Sequence, residues 1–383
     1  MKTEVIMAGG GTAGHVLPAL SIAQALVERG HEPGSIHFVG SRRGQEAELV
    51  PHAKFTISLL PGRGVPRQLS LRSLAATAGL AVALVESTAI LLRRRPAVVV
   101  SVGGYASLPT TLAAVALRIP LVLCNLDAVP NGANSLVARF ATASAVAFAE
   151  TRLPRATVTG SPVRLEITQV DRSPEGRRRA RVLLGLPEGR HTVVVISGSL
   201  GSARINSAVA ALALRWSDRS DVSIRHVVGR RDWSPMLSST SQGQVSDERG
   251  SSRVGIDGLY YRPVAYEEQM PSLLGAADVL VGRAGASTVA ELTAVGLASV
   301  LVPLPGAPHD HQTANARVLA DAGAAILVPD PECTGLRLGQ ELDTLLADPR
   351  RLEVMDKAAA SLGRPDAADA VARVVEAALD RAA

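Results

Sequence analysis

The stretch MAGGGTAGHV, residues 7–16, directly follows a short apolar run that begins at Val5. Gly9, Gly11 and Gly14 fit G-x-G-x-x-G, in which glycines let a strand-to-helix turn bring backbone N–H groups against a diphosphate. Strand, glycine turn and a helix over about 15–29 that stops at Gly30 make the opening of a doubly wound α/β domain. His15 follows the last glycine, at the helix start. A neutral imidazole there either takes a proton from an attacking hydroxyl or merely binds an anion.

The pattern continues outward from this turn. SIHFVGS, FTISLLP, PAVVVSVGG, IPLVLCNL and SAVAFA read as short, nearly continuous apolar strands separated by helices. Such strands belong inside a parallel sheet covered on both faces. After TGSPVR (Thr159–Arg164) the architecture starts afresh, with HTVVVISGSLGSA as a second strand and glycine turn. SIRHVVG, DVLVGRAGAS, ASVLVPLPG and AAILVPD follow as strands. The polar stretch Ser238–Ser252 reads as an exposed loop, and Arg177–Arg179 with Arg181 as a solvated helix face. The expected boundaries are 1–163 for one domain and 164–354 for the other, with a C-terminal helix about 355–383 packing back on the first.

The bulk numbers suit this reading. The 383 residues are enough for two domains, and 47% apolar content with only 3% aromatics implies a core of Ala, Val and Leu. The net charge of +5 favours anionic partners. Nucleic acid is not among those expected, since no long basic tract is interleaved with aromatics. Two cysteines, Cys124 and Cys333, far apart and outside any C-x-x-C, suggest neither zinc nor a disulfide framework. The segment Ala75–Leu92 imitates a membrane span, but Glu86 and its many alanines favour a packed helix.

For NAD, an acidic residue should end the second strand; here it ends VGSRRG, and Ser41, Arg42 and Arg43 suit an NADP 2′-phosphate instead. Against a dehydrogenase stand His15 and the second phosphate-type turn SGSLGSA (Ser197–Ala203). So does RAGASTVAE (Arg283–Glu291), a tight turn into a helix. Backbone N–H groups at Ala286, Ser287 and Thr288 can hold phosphate, and the Glu291 carboxylate can accept from both ribose hydroxyls or simply complement the helix dipole. In PLPGAPHDHQTANA, the adjacent His309, Asp310 and His311 have poor ligand spacing. Gln312 and Asn315 read better as partners of sugar hydroxyls. No D-x-D stretch is present, and no metal or other cofactor is expected.

GGGTAGH, SVGGYAS, TGSPVR, SGSLGSARIN, RAGASTVAE and DHQTANA, in this order and spacing, resemble the MurG family of glycosyltransferases over nearly the whole chain. The resemblance implies an α/β GT-B fold, two doubly wound Rossmann-like domains facing across a cleft. It implies inverting transfer of N-acetylglucosamine from UDP-GlcNAc to O4 of the muramoyl sugar of lipid I, giving lipid II. It would place Arg164, Ser199, Ala286, Ser287, Thr288, Glu291 and Gln312 on the donor, with a helix before Met270 offering backbone to the uracil. Gly11, Thr12, Ala13, Gly14, Gly104 and Tyr105 would meet the acceptor diphosphate, with Gly103 in the same loop, and His15 would be the general base. The family's H-E-Q-N is here Cys124-Asn125-Leu126-Asp127, so Asp127 replaces an amide that touches the sugar and is a second candidate base. This departure leaves open a UDP-sugar transferase with another acceptor; the NADP oxidoreductase is a more distant alternative.

A lipid-linked acceptor requires a membrane. RGVPRQLSLRSLA, residues 63–75, mixes Arg67 and Arg72 with Leu71 and Leu74, a pattern suited to an anionic leaflet or to a plain surface helix. The expected location is peripheral, on the cytoplasmic side of the cell membrane.

Overall fold

The computed structural model describes residues 3–61, 71–104, 106–198, 201–239, 245–246, 252–253 and 258–381. For 71–78, 235–239, 245–246 and 252–253 only the backbone path is described. The chain divides into two compact units, Met1–Arg164 with Arg364–Ala383, and Leu165–Gly363.

The first unit is built on β1 (Val5–Gly9), β2 (Ile36–Ser41), β3 (Thr56–Leu60), β4 (Val98–Gly103), β5 (Leu121–Asn125), β6 (Ala143–Val146) and β7 (Ala156–Val158). They form one parallel sheet in the order β3-β2-β1-β4-β5-β6-β7, with Val5 opposite both Ile36 and Val98. β2, β4 and β5 are buried along their whole length, which is why they read as unbroken apolar runs. The covering helices are α1 (Ala13–Glu28), α2 (Glu46–His52), α3 (Leu71–Arg94), α4 (Ser107–Ala116) and α5 (Gly132–Val137). α3 contains Ala75–Leu92, and no helix among the described residues is long and apolar enough to cross a membrane.

The second unit begins with α6 (Leu165–Thr168), α7 (Pro174–Leu183), β8 (His191–Ile196), α8 (Ala203–Arg215), β9 (Val222–Val227) and α9 (Arg230–Ser239). It continues with the short strands β10 (Val245–Ser246) and β11 (Ser252–Arg253), then β12 (Tyr260–Val264), α10 (Met270–Ala276), β13 (Val279–Gly282) and α11 (Ala286–Val295). β14 (Ser299–Leu301), α12 (His311–Asp321), β15 (Ala325–Leu327), α13 (Gly335–Leu346) and α14 (Pro349–Leu362) complete it. Its parallel sheet runs β12-β9-β8-β13-β14-β15, the same winding as in the first unit. The chain then returns to the first unit as α15 (Ala367–Asp380), whose Asp369 and Glu376 pair with Arg29 just beyond α1.

Four expectations change. The segment about 355–383 is two helices, because Pro365 cannot continue the helix that ends at Leu362; only the second belongs to the first unit. β12 carries a proline, Pro263, and so hides from pattern reading; an edge position tolerates it. The polar stretch Ser238–Ser252 contains β10 and reaches β11, its antiparallel partner. The arginines of α7 do not form one solvated face. Arg178 and Arg179 are exposed, but Arg177 and Arg181 pair with Asp278 at 2.8 Å each, and Arg177 and Arg172 share Asp356. Asp278 and Asp356 in turn accept the backbone N–H of Thr192 and Ala298, tying helix to sheet.

Candidate functional site

In each sheet the winding reverses beside the first strand, between β1 and β4 in one unit and between β8 and β13 in the other. Loops leaving the carboxyl ends of those strands open at the switch point, where doubly wound folds bind ligands. Residues 10–12 and Gly104 therefore face one such point, and Ser197, Gly198, Gly201 and Ser202 with Arg283–Gly285 the other.

In the first unit the two glycine loops interlock. Gly10 N–H donates to Gly103 O at 3.2 Å. A Cβ on Gly104, whose φ is +87°, would strike the Gly10 carbonyl, so only glycine allows this approach. The imidazole of His15 lies over Gly103, its Nε2 3.1 Å from where a Cβ would stand, and the Asn131 amide lies 3.5 Å from the same point. The His15 Nδ1 faces Thr12 Oγ1 at 3.3 Å. Thr12 flanks α1 without capping it, and Gly11 and Thr12 are exposed. The structure thus brings His15, Gly11, Thr12, Ala13, Gly14 and Gly104 together. Tyr105, Ser199 and Arg67 lie outside the described residues, and of Leu71, Arg72 and Leu74 only the helical backbone is described.

The altered stretch after β5 has its own logic. Asn125 is buried and donates Nδ2 to Asp127 O (2.7 Å) and Val129 O (3.2 Å), while its Oδ1 accepts from Asn131 N–H (3.1 Å) and Asn134 Nδ2 (3.3 Å). Asn131 caps α5 by accepting from Asn134 N–H, and Asn134 accepts from Ser101 Oγ in β4. Together Asn125, Asn131 and Asn134 fold the loop back on itself. Asp127 is half-buried on this loop, with its carbonyl also held by Thr151 Oγ1 at 3.1 Å. Burial pushes the Cys124 thiol up to about 12, so it stays protonated and is no substitute for a histidine.

In the second unit Gly285 precedes α11 and gives it no side-chain cap, and among the described residues nothing stands within 4 Å of a Cβ placed on Gly285. Its first turn, Ala286, Ser287 and Thr288, is half-buried, and Glu291 shares a helix face with Ser287 at i, i+4. Gln312 Oε1 accepts from Leu304 N–H at 3.0 Å, fixing the side chain beside the β14 loop. Asn315, read as a sugar partner, is instead fully buried and donates to Ala284 O at 3.0 Å, where it braces the turn. Residues 265–269 are not helical; Met270 opens α10, and Gln269 N–H before it donates to Glu267 Oε1 at 3.1 Å. Arg164 ends the N-terminal segment of the first unit, just before α6.

Three residues escaped the sequence reading. Arg283 donates to Val302 O and Pro303 O at 3.0 Å each, Asp330 Oδ1 at 2.6 Å and Ser202 Oγ at 2.7 Å, and Ser202 caps α8. One guanidinium therefore locks both loops of this switch point. Asn206 joins Ser197 (2.5 Å), Val228 O (3.2 Å), Asp232 (3.2 Å) and His226 Nε2 (3.0 Å), and the far nitrogen of His226 meets Tyr261 at 2.9 Å. Burial pushes the His226 imidazole down to about 3, so it is neutral; the acceptor Asn206 Oδ1 puts its proton on Nε2. The third, Glu46, lies beneath the first glycine turn. A buried charge with no apolar periodicity gives no signal in a sequence.

Two Rossmann-type units, each with a phosphate-type turn at its switch point, are the parts of a GT-B fold. Residues 5–146 match the glycosyltransferase family 28 N-terminal domain and 192–371 the family 28 C-terminal domain. The chain is 37% identical over 381 residues to the UDP-N-acetylglucosamine–N-acetylmuramyl-(pentapeptide) pyrophosphoryl-undecaprenol N-acetylglucosamine transferase of Desulforudis audaxviator, covering 97% of this chain and 98% of that one. The equally named protein of Moorella thermoacetica is 39% identical with the same coverage. The crystal structure of Acinetobacter baumannii MurG is similar with a TM-score of 0.73 at 25% identity, covering 98% of this chain and 99% of that one. The chain belongs to glycosyltransferase family 28 and is a glycosyltransferase, which removes the oxidoreductase alternative.

Proposed function

We propose that this enzyme transfers N-acetylglucosamine from UDP-GlcNAc to O4 of the muramoyl sugar of lipid I, with inversion, giving lipid II. The observation that carries the reading is the full-length kinship with transferases of that name, joined to a phosphate-type loop at each switch point. In the second unit, the backbone N–H groups at Ala286, Ser287 and Thr288 receive the donor diphosphate, Glu291 accepts from the ribose hydroxyls, and the amide nitrogen of Gln312, whose oxygen is held by Leu304 N–H, meets the sugar. Arg164 and Ser199 complete the donor set. As UDP departs, the α11 N-terminus and the Arg164 guanidinium stabilise the charge that develops.

The acceptor diphosphate lies at the start of α1 with Thr12, Ala13, Gly14, Gly104 and Tyr105. His15 acts as base through Nε2, which requires its proton on Nδ1, donating to Thr12 Oγ1. Asp127 is the second candidate base, on a loop held by Asn125. Inversion needs one base and no covalent intermediate.

Membrane attachment supplies the acceptor. Val82, Val85 and Leu92 of α3 are exposed, with Arg93 in its last turn, and Phe140 is exposed beneath the Arg139 guanidinium at 4.6 Å. Apolar groups rimmed by arginine suit an anionic cytoplasmic leaflet, alongside Arg67, Leu71, Arg72 and Leu74. Flotation with anionic vesicles should show salt-sensitive binding. The function itself is tested by transfer of labelled N-acetylglucosamine to a lipid I analogue; labelled lipid II is expected, and transfer only to another acceptor would overturn the reading.

A further inference from the structure

Glu46 is 1% exposed, although ionisable side chains rarely enter a protein interior without partners. Its Oε2 accepts from Gly11 N–H at 2.7 Å and its Oε1 from Ser41 N–H at 2.6 Å. A Cβ on Gly10, Gly40 or Gly44 would collide with this carboxyl group. Three glycines thus shape a cradle whose occupant is the protein's own carboxylate. Glu46 is also the first residue of α2, where negative charge complements the helix dipole.

We propose that Glu46 is the positioning residue of the diphosphate loop in the first unit, an inference that rests on the acceptor reading above. By drawing the Gly11 N–H inward it fixes the turn between β1 and α1 and sets His15 over Gly103. Gly11 then serves the site through Glu46, and the diphosphate is met by the residues that follow at the start of α1 and by Gly104. Geometry matters here as much as charge. Glutamine at this position satisfies one N–H with its oxygen but turns an NH2 donor on the other.

The test compares wild type, Glu46→Gln and Glu46→Asp in the full chain, measuring thermal stability and the dissociation constants of farnesyl diphosphate and UDP by calorimetry. The expected result for Glu46→Gln is farnesyl diphosphate binding weakened about fivefold or more, as loss of one hydrogen bond implies, with UDP binding within about twofold. The Michaelis constant for a lipid I analogue should rise in step. Unchanged or tighter farnesyl diphosphate binding overturns the proposal, as does an equal loss of UDP binding, which marks general damage. Should Glu46→Gln fail to fold, Glu46→Asp, too short to reach both N–H groups, is judged by the same criteria. A wild type that binds farnesyl diphosphate but glycosylates no lipid I analogue refutes the acceptor reading while leaving the role of Glu46 in place; a wild type that binds none overturns both.

Discussion

Replacing Arg283 by methionine removes the residue that joins the two donor-side loops. The substitution keeps much of the side-chain length but deletes four hydrogen bonds and leaves Asp330, only 12% exposed, without the partner it meets at 2.6 Å. Breaking a buried ion pair from one side costs about 3–5 kcal/mol. Arg204 stands 3.7 Å from the other oxygen of Asp330 and offsets part of this, so the lower end applies. For a unit of this size each kcal/mol moves the melting temperature by about 2–4 °C, giving a fall of roughly 6–12 °C. Because Arg283 also holds Ser202, the cap of α8, and lies three residues before the start of α11, the donor loops should loosen together. UDP affinity should then drop by about tenfold, a loss of about 1.4 kcal/mol. Differential scanning calorimetry and isothermal titration with UDP read the two effects. A melting temperature within about 1 °C of wild type, or unchanged UDP affinity, would refute the clamp.

His15→Ala should lower kcat by about 10²–10⁴-fold with UDP affinity preserved, in single-turnover transfer; full activity would hand the base role to Asp127. Glu291→Ala should weaken UDP about 10–100-fold by titration, the worth of one hydrogen bond to a charged group, and equal affinity would remove its ribose role. His226 predicts an acid-sensitive second unit. Its folded pKa, about 3, lies below its ordinary 6.5, so the unfolded chain binds the extra proton and stability falls as pH drops below about 6.5. The loss from this residue is about 2 kcal/mol at pH 5. Urea melts of His226→Asn should show a correspondingly shallower dependence on pH; an identical slope contradicts the neutral buried imidazole.

The sequence made the winding legible because parallel strands buried on both faces are uninterrupted apolar runs, as in VVVSVG and VLVG. It made the glycine turns legible because Gly104 has no alternative. β12 was missed because an edge strand tolerates Pro263, whereas the C-terminal break was signalled by Gly363 and Pro365 between α14 and α15. At the site, residues that meet a ligand through backbone were readable from turn chemistry. Residues that hold the site from behind, Glu46, Arg283 and Asn206, were not, since each is defined by partners distant in sequence: Gly11, Asp330 and His226. Asn315 shows the same limit in reverse, polar in sequence yet buried as a brace.

The central claim is that the nucleotide sugar belongs to the second unit. Crystals soaked with UDP-GlcNAc should show the diphosphate against residues 285–288, with the ribose hydroxyls on Glu291. Uridine seated against residues 9–15 would contradict the account.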